Sequence, residues 1–437
     1  MDKTITRYLD FISRNKTERE CVRSIIARCE EAGYKNLEDY EVLNPGDKAY
    51  VDVYGKSLLL FQIGTDPIEK GMNILGAHLD SPRLDIKMKP LYESKGVVYL
   101  NTHYYGGIKK YQWLARPLAI HGVVAKKNGE NVLISMGEDE DDYTFCISDI
   151  LPHIAQEQMK KTAAEFVNGE DLDLVLGLNT EEEKEAGKKA ILEILKTNYN
   201  IEEDDFLSAE LEVVPAGKAK YLGLRKDLIL GYGQDDRVCS FTSLEAMLEQ
   251  DADNTRTTCC MLVDKEEIGS TGATGMDSLM LENALSEVVE RLGGYNGLKV
   301  RRCLKNSYML SSDVNSAYDP LNAGLYDEDN SSKLGYGMVF NKYTGSRGKS
   351  GASDANAEFV ALLRETMDSA DVKYQMAEMA KVDVGGGGTI AKHAAYYGMQ
   401  VIDAGVSILS MHAPCEVSSV YDVLTAKNCY KAFLKIR

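Results

Sequence analysis

The chain holds no apolar run long enough to cross a membrane, no Cys-x-x-Cys pair and no excess of positive charge. Each absence removes a class of function. A membrane helix needs about 20 apolar residues in succession, and the first residues, Met1 to Leu9, contain no long apolar stretch of the signal-peptide kind either. The expectation is a cytoplasmic protein with no membrane partner. Nine cysteines, an odd number, include one adjacent pair, Cys259-Cys260, inside an apolar strand-like run. That usage suits reduced core thiols better than a disulfide framework, and argues against a sulfur-held metal. With 50 Lys and Arg against 68 Asp and Glu the formal charge is -18, so the average field repels nucleic acid and anionic lipid. Internal repeats and low-complexity segments are also missing.

At 437 residues, 44% of them hydrophobic, the chain can build large cores and exceeds the size at which one core stops growing, so two domains are expected. Thr17-Glu18-Arg19-Glu20 reads as a capping box opening a helix that reaches about Ala32. Ser57 to Ile63 and Met72 to Leu75 are apolar strand runs. From about 90 the pattern turns to antiparallel β, with strands at 96–100, 118–125 and 132–135 and a hairpin signal at Lys127-Asn128-Gly129-Glu130. A helix is predicted over 150–166, another from the Thr180-Glu181-Glu182-Glu183 box, and strand between 200 and 227. After that, strands and helices alternate. The fold class is therefore α/β: a mixed-sheet, helix-flanked domain of residues 1–89 and 229–437, interrupted by a β-rich domain over 90–228.

The chemistry lies just beyond strands. Gly76-Ala77-His78-Leu79-Asp80-Ser81 follows one apolar run, Asp264-Lys265-Glu266-Glu267 a second, and Asp235-Asp236-Arg237, Asp313 and His412 three more. Ligands of open α/β sheets bind outside the carboxyl ends of strands, and scattered structural residues would not share that placement. Imidazole and carboxylate are zinc ligands, and an Asp two residues from a ligand His can hold its other ring nitrogen. Two adjacent Glu residues can divide metal binding from proton handling. A metal pair needs about five side chains, one of them shared, and His78, Asp235, Glu267, Asp313 and His412 make that number. Asp235 is the natural bridge, with Asp236 the alternative. Singly each element has a bland reading as a surface His, an acidic pair or a solvated turn; their common order and placement outweigh it. His103, His121 and His393 lack such a setting. His153 reads as a helix-terminal residue on its own sequence, and Gly385-Gly386-Gly387-Gly388 as a tight turn near the site, since it lacks the ending of a phosphate loop.

Nearly end to end, the chain resembles the aspartyl-aminopeptidase-like family of cocatalytic zinc aminopeptidases. The resemblance is carried by Ala77-His78-Leu79-Asp80-Ser81-Pro82, Ile150-Leu151-Pro152-His153, Gly233-Gln234-Asp235-Asp236-Arg237, Asp264-Lys265-Glu266-Glu267-Ile268-Gly269-Ser270, Ser311-Ser312-Asp313, the glycine run and Ser410-Met411-His412-Ala413-Pro414-Cys415-Glu416. It implies two zinc ions per subunit, one held by His78, Asp235 and Asp313 and the other by Asp235, Glu267 and His412; cobalt and manganese suit the same donors. It further implies Glu266 as general base, Asp80 as the residue orienting His78, and a shared hydroxide attacking the first peptide bond of substrates with a free N-terminus. The inserted domain would mediate dimerisation within a homododecamer, where His153 reaches a neighbouring site. Two departures concern specificity. The family's His shortly after the Asp313 position is absent, and Thr344 or Gly345 stands where a lysine reads acidic side chains, leaving Lys342, Arg347 and Lys349 as substitutes for an acidic preference. The alternatives are an N-acyl amino-acid deacylase with the same metals and a non-catalytic shell subunit.

Overall fold

The computed structural model describes residues 2–139, 141–251 and 254–437. They form two compact units, one of Met1–Asp80, Ala219–Met411 and Glu416–Arg437, the other of Ser81–Lys218 and His412–Cys415.

The first unit is built on a nine-stranded mixed sheet in the order Lys35–Asn36, Lys48–Val53, Ser57–Gln62, Thr257–Val263, Met72–His78, Tyr308–Ser311, Gln400–Gly405, Met338–Asn341, Tyr374–Ala377. Ser57–Gln62, Met72–His78 and Thr257–Val263 are buried at every position. Their residues divide strictly between two cores: Leu58, Leu60, Cys260 and Leu262 face one helical layer, whereas Leu59, Phe61, Cys259 and Met261 face the other. A strand covered on both sides reads as an unbroken apolar run. The first layer includes the helices Lys3–Arg14, Glu18–Glu31, Gln234–Leu248 and Val420–Leu434, the second Met280–Arg291 and Gly297–Asn306. The capping box at Thr17 forms, with Glu20 N–H donating to Thr17 Oγ1 at 3.2 Å and Thr17 N–H to Glu20 Oε2 at 3.1 Å. A five-stranded sheet in the same unit joins Lys220–Leu222, Leu228–Gly231, Glu416–Ser419, Ser407–Leu409 and Asn315–Ser316.

The second unit carries a six-stranded antiparallel sheet: Asn131–Met136, Leu118–Ala125, Ala209–Pro215, Arg83–Ser94, Val97–Tyr105, Leu174–Leu178. The helix Ala186–Tyr199 contributes Ile191, Leu192 and Leu195 to its core. The hairpin at 127–130 joins Leu118–Ala125 to Asn131–Met136. Two expectations fail here. No helix forms over 150–166, where only short 3-10 turns occur at Pro152–Ile154 and Gln158–Lys160; Pro152 lacks a donor and restricts Leu151, and Ile150, Leu151, Ile154 and Met159 are exposed, so no apolar face is buried to hold a helix. The helix expected from Thr180 begins at Ala186. Asn179 captures the preceding segment as a turn by accepting from Glu181 N–H at 2.9 Å and donating to the Glu183 carbonyl at 3.0 Å.

Candidate metal centre

His78 ends the strand Met72–His78. Its parallel neighbours place Val263 opposite His78 and Ser311 opposite Gly76, so the turn bearing Glu266 and Glu267 and the residue Asp313 emerge on the same side of the sheet. Asp235 arrives from the other sheet, just after Leu228–Gly231, at the start of the helix Gln234–Leu248. The Asp235–Asp236 peptide is cis. One donor atom each from His78, Asp235 and Asp313 lie within 4.8 Å of one another, and so do donors of His78, Glu266 and Glu267.

The surroundings fix these groups. His78 Nδ1 lies 2.9 Å from the Asp80 carbonyl and 3.3 Å from Asp80 Oδ1, which leaves Nε2 turned to Asp235 Oδ1 at 3.2 Å. The Asp80 carboxylate also accepts the backbone N–H groups of Glu266 and Glu267, each at 3.2 Å, tying the ends of two neighbouring strands together. Asp236 accepts the His78 backbone N–H at 3.2 Å, and Ser240 donates its hydroxyl to the His78 carbonyl at 2.6 Å. Asp235 N–H donates to Glu416 Oε2 at 3.0 Å. Gly405 allows its strand to lie against the Asp313 backbone, since a Cβ there would stand 1.7 Å from the Asp313 carbonyl oxygen. Behind the Glu266 turn, Lys56 Nζ lies 3.0 Å from Glu18 and 3.5 Å from Asp264.

Burial pushes the Asp236 carboxyl well above its usual range, partly countered by His78 and reinforced by Asp235. Loss of water likewise raises Asp313, with the fields of Asp236, Asp235 and Glu266 adding to it. Burial disfavours charge on the His78 ring, but hydrogen bonds to Asp235 and Asp80 and the field of Asp236 outweigh it and hold its pKa high.

The remaining histidines have the following settings. His412, in the loop after Ser407–Leu409, packs with the second unit, its Nδ1 2.9 Å from the Gly107 carbonyl. His153 is exposed on its 3-10 turn. His121 is buried against Glu138 at 3.1 Å, His103 is exposed, and His393 lies 3.6 Å from Asp277. Arg237 sends Nη1 to the Asn15 carbonyl at 2.6 Å and lies over the Tyr232 ring. Glu416 accepts the Asp235 backbone N–H, and it stands in the very motif that contains His412.

A family model described as aminopeptidase I zinc metalloprotease (M18) matches residues 11–434. The chain is 53% identical over 436 residues to a probable M18 family aminopeptidase 1 of Clostridium acetobutylicum, covering 98% of this chain and 93% of the relative. A crystal structure of an M18 family aminopeptidase from Thermotoga maritima matches with a TM-score of 0.95 at 40% identity, covering 99% and 96% of the two chains. The chain of a yeast mApe1 dodecamer, 22% identical, shares the fold with a TM-score of 0.79 over 99% of this chain and 96% of its own. With its strand-end donors and this likeness along nearly its whole length, the chain belongs to the M18, aspartyl-aminopeptidase-like family of zinc metallopeptidases and is an aminopeptidase.

Proposed function

We propose that His78, Asp235 and Asp313 hold one zinc ion and Asp235, Glu267 and His412 a second, with Glu266 as general base in removing the first residue of peptides that have a free N-terminus. The observation that carries this reading is the convergence of His78 with Asp235 and Asp313, and with Glu266 and Glu267, within 4.8 Å. The donors fit a divalent cation: they are oxygen and imidazole nitrogen, and crowded carboxylates raised by burial and by one another are what such a charge offsets. Asp235 is the shared ligand, because Asp236 is turned to the His78 backbone. When bound, the two cations would acidify water and polarise the scissile carbonyl.

The protein's own groups do the rest. Asp80 holds Nδ1 of His78, so that Nε2 faces the donors, and fixes the Glu266 and Glu267 backbones. Glu266 Oε2 lies 4.0 Å from His78 Nε2, beside the donors, where it takes the proton of the attacking water and passes it to the leaving amine. Glu266→Gln is expected to lower kcat by about 10³-fold with zinc content unchanged by elemental analysis. A variant keeping a tenth of wild-type turnover removes Glu266 from this role.

An acidic N-terminal residue would need a free cation near the site. Lys342 is held by Asp354 at 2.7 Å, and Arg347 and Lys349 are exposed, so the loop offers that preference little support. By the family resemblance the inserted unit pairs subunits, the pairs assemble into a homododecamer, and the exposed His153 serves a neighbour's site. Light scattering with parallel assays tests this: a monomer with full turnover, indifferent to His153→Ala, would overturn both parts.

A further inference from the structure

A cleft of about 450 Å³ opens in the first unit, and Asp313 forms part of its wall. Most of its charged side chains are already engaged or, like Arg347, exposed. Lys342 holds Asp354. Asp403 accepts hydroxyl hydrogen bonds from Ser311 and Thr389. Arg347 is exposed on its loop, at a backbone φ of 54°. Glu378 differs from all of these. It is half-buried and anchored through its backbone N–H on the Asn330 carbonyl at 2.7 Å, and its carboxylate has no ion-pair or hydrogen-bond partner among the described residues. Tyr343, Met379 and Val382 supply apolar wall in the same cleft.

We propose that this cleft receives the side chain of the substrate's N-terminal residue and that Glu378 selects lysine or arginine there. The inference rests on the metal-centre reading, because Asp313 places the cleft beside the scissile bond only if it is a ligand. A long aliphatic stem against apolar wall, ending in a cation, matches the cleft's make-up. The energetics favour the same class. A neutral side chain filling the cleft strips water from a half-buried carboxylate and returns nothing, an acidic one adds like-charge repulsion, and a cation replaces the lost hydration with a charged hydrogen bond. The formal charge of -18 draws cationic peptides towards the protein in addition.

The test is a panel of lysyl-, arginyl-, leucyl- and glutamyl-p-nitroanilides with the zinc-loaded wild type and Glu378→Gln. Lysyl and arginyl substrates are expected to exceed the glutamyl one in kcat/KM by about 100-fold. Glu378→Gln is expected to lower kcat/KM for the two basic substrates by about 10- to 100-fold while moving the leucyl value by less than about 3-fold, with zinc content unaltered. Cleavage of leucyl and glutamyl but not basic substrates overturns this inference and leaves the metal centre standing. An equal loss on leucyl and lysyl substrates in the variant overturns it as well. No turnover of any anilide by the wild type overturns the metal-centre reading and this inference with it. The wild-type panel decides whether or not the variant folds.

Discussion

The two large sheets use their strands in different ways. In the nine-stranded sheet the strands Ser57–Gln62, Met72–His78 and Thr257–Val263 are buried throughout, and three parallel neighbours end on one side, where His78, the Glu266 turn and Asp313 emerge. In the antiparallel sheet, neighbouring strands end on opposite sides, and the strand Asn131–Met136 exposes alternate residues, with Leu133 58% exposed. Parallel order under two helical layers therefore gathers functional groups at one end, whereas antiparallel order provides a core on one face and a wet surface on the other. The donors around His78 follow the first pattern. Asp80 makes the point at the level of single bonds, because one carboxylate reaches both its own strand's histidine and the turn after the adjacent strand.

That contrast is tested most severely by paired truncations. Phe61 is fully buried in the second core of the nine-stranded sheet, so Phe61→Ala is expected to cost about 3–5 kcal/mol. Leu133→Ala, on the wet face of the other sheet, is expected to stay within about 0.5 kcal/mol. Urea denaturation can follow the two regions separately, because the single tryptophan of the chain, Trp113, is buried in the second unit and reports its unfolding by fluorescence, while circular dichroism reports the whole. Equal shifts for the two variants would break the comparison.

Much of this arrangement was legible in the residues. Apolar runs mark the central strands because burial on both faces leaves no polar alternation, and His78, Glu266 and Asp313 are visible as titratable groups just past those runs. What periodicity does not carry is the partner of a strand. Leu228–Gly231 and Ser407–Leu409 read as further members of one alternating sheet, yet they pair in a separate five-stranded one, so Asp235 approaches the cluster from a different sheet. The helix expected over 150–166 failed because Ile150, Leu151, Ile154 and Met159 stay exposed and Pro152 interrupts the segment. Glu416 stands in a quoted motif but acquires its contact with Asp235 only through a strand pairing remote in sequence. Glu378 belongs to no motif at all; tertiary packing alone puts it into a cleft with Asp313.

The smaller test of the comparison is electrostatic, since a region closed on both sides should raise a carboxyl more than a partly open one. Each region holds a buried acid. Asp422, fully buried in the first unit at the start of the helix Val420–Leu434, accepts the backbone N–H groups of Gly335 and Gly337 at 2.6 and 2.8 Å; burial nevertheless pushes its pKa up to about 6. Asp173 in the second unit is also raised by burial, against hydrogen bonds from Tyr92 and Thr102. For Asp422 the folded carboxyl keeps its proton up to about pH 6, whereas the unfolded one releases it near its ordinary value of 3.8. The folded state therefore binds more protons between those values. Its contribution to stability is complete below pH 3.8 and is lost as the pH rises through about 6, in all about 3 kcal/mol. Asp422→Asn gives up one of two accepted hydrogen bonds at every pH, so the informative quantity is how the difference between variant and wild type changes with pH. Denaturation at pH 4, 5, 6 and 7 is expected to show the variant gaining on the wild type by up to about 3 kcal/mol across that interval, with no further change above it. A difference that stays flat from pH 4 to 7 would mean that the region around Asp422 is wetter than its packing indicates, and the contrast between a doubly covered sheet and a singly covered one would then not extend to the charges they bury.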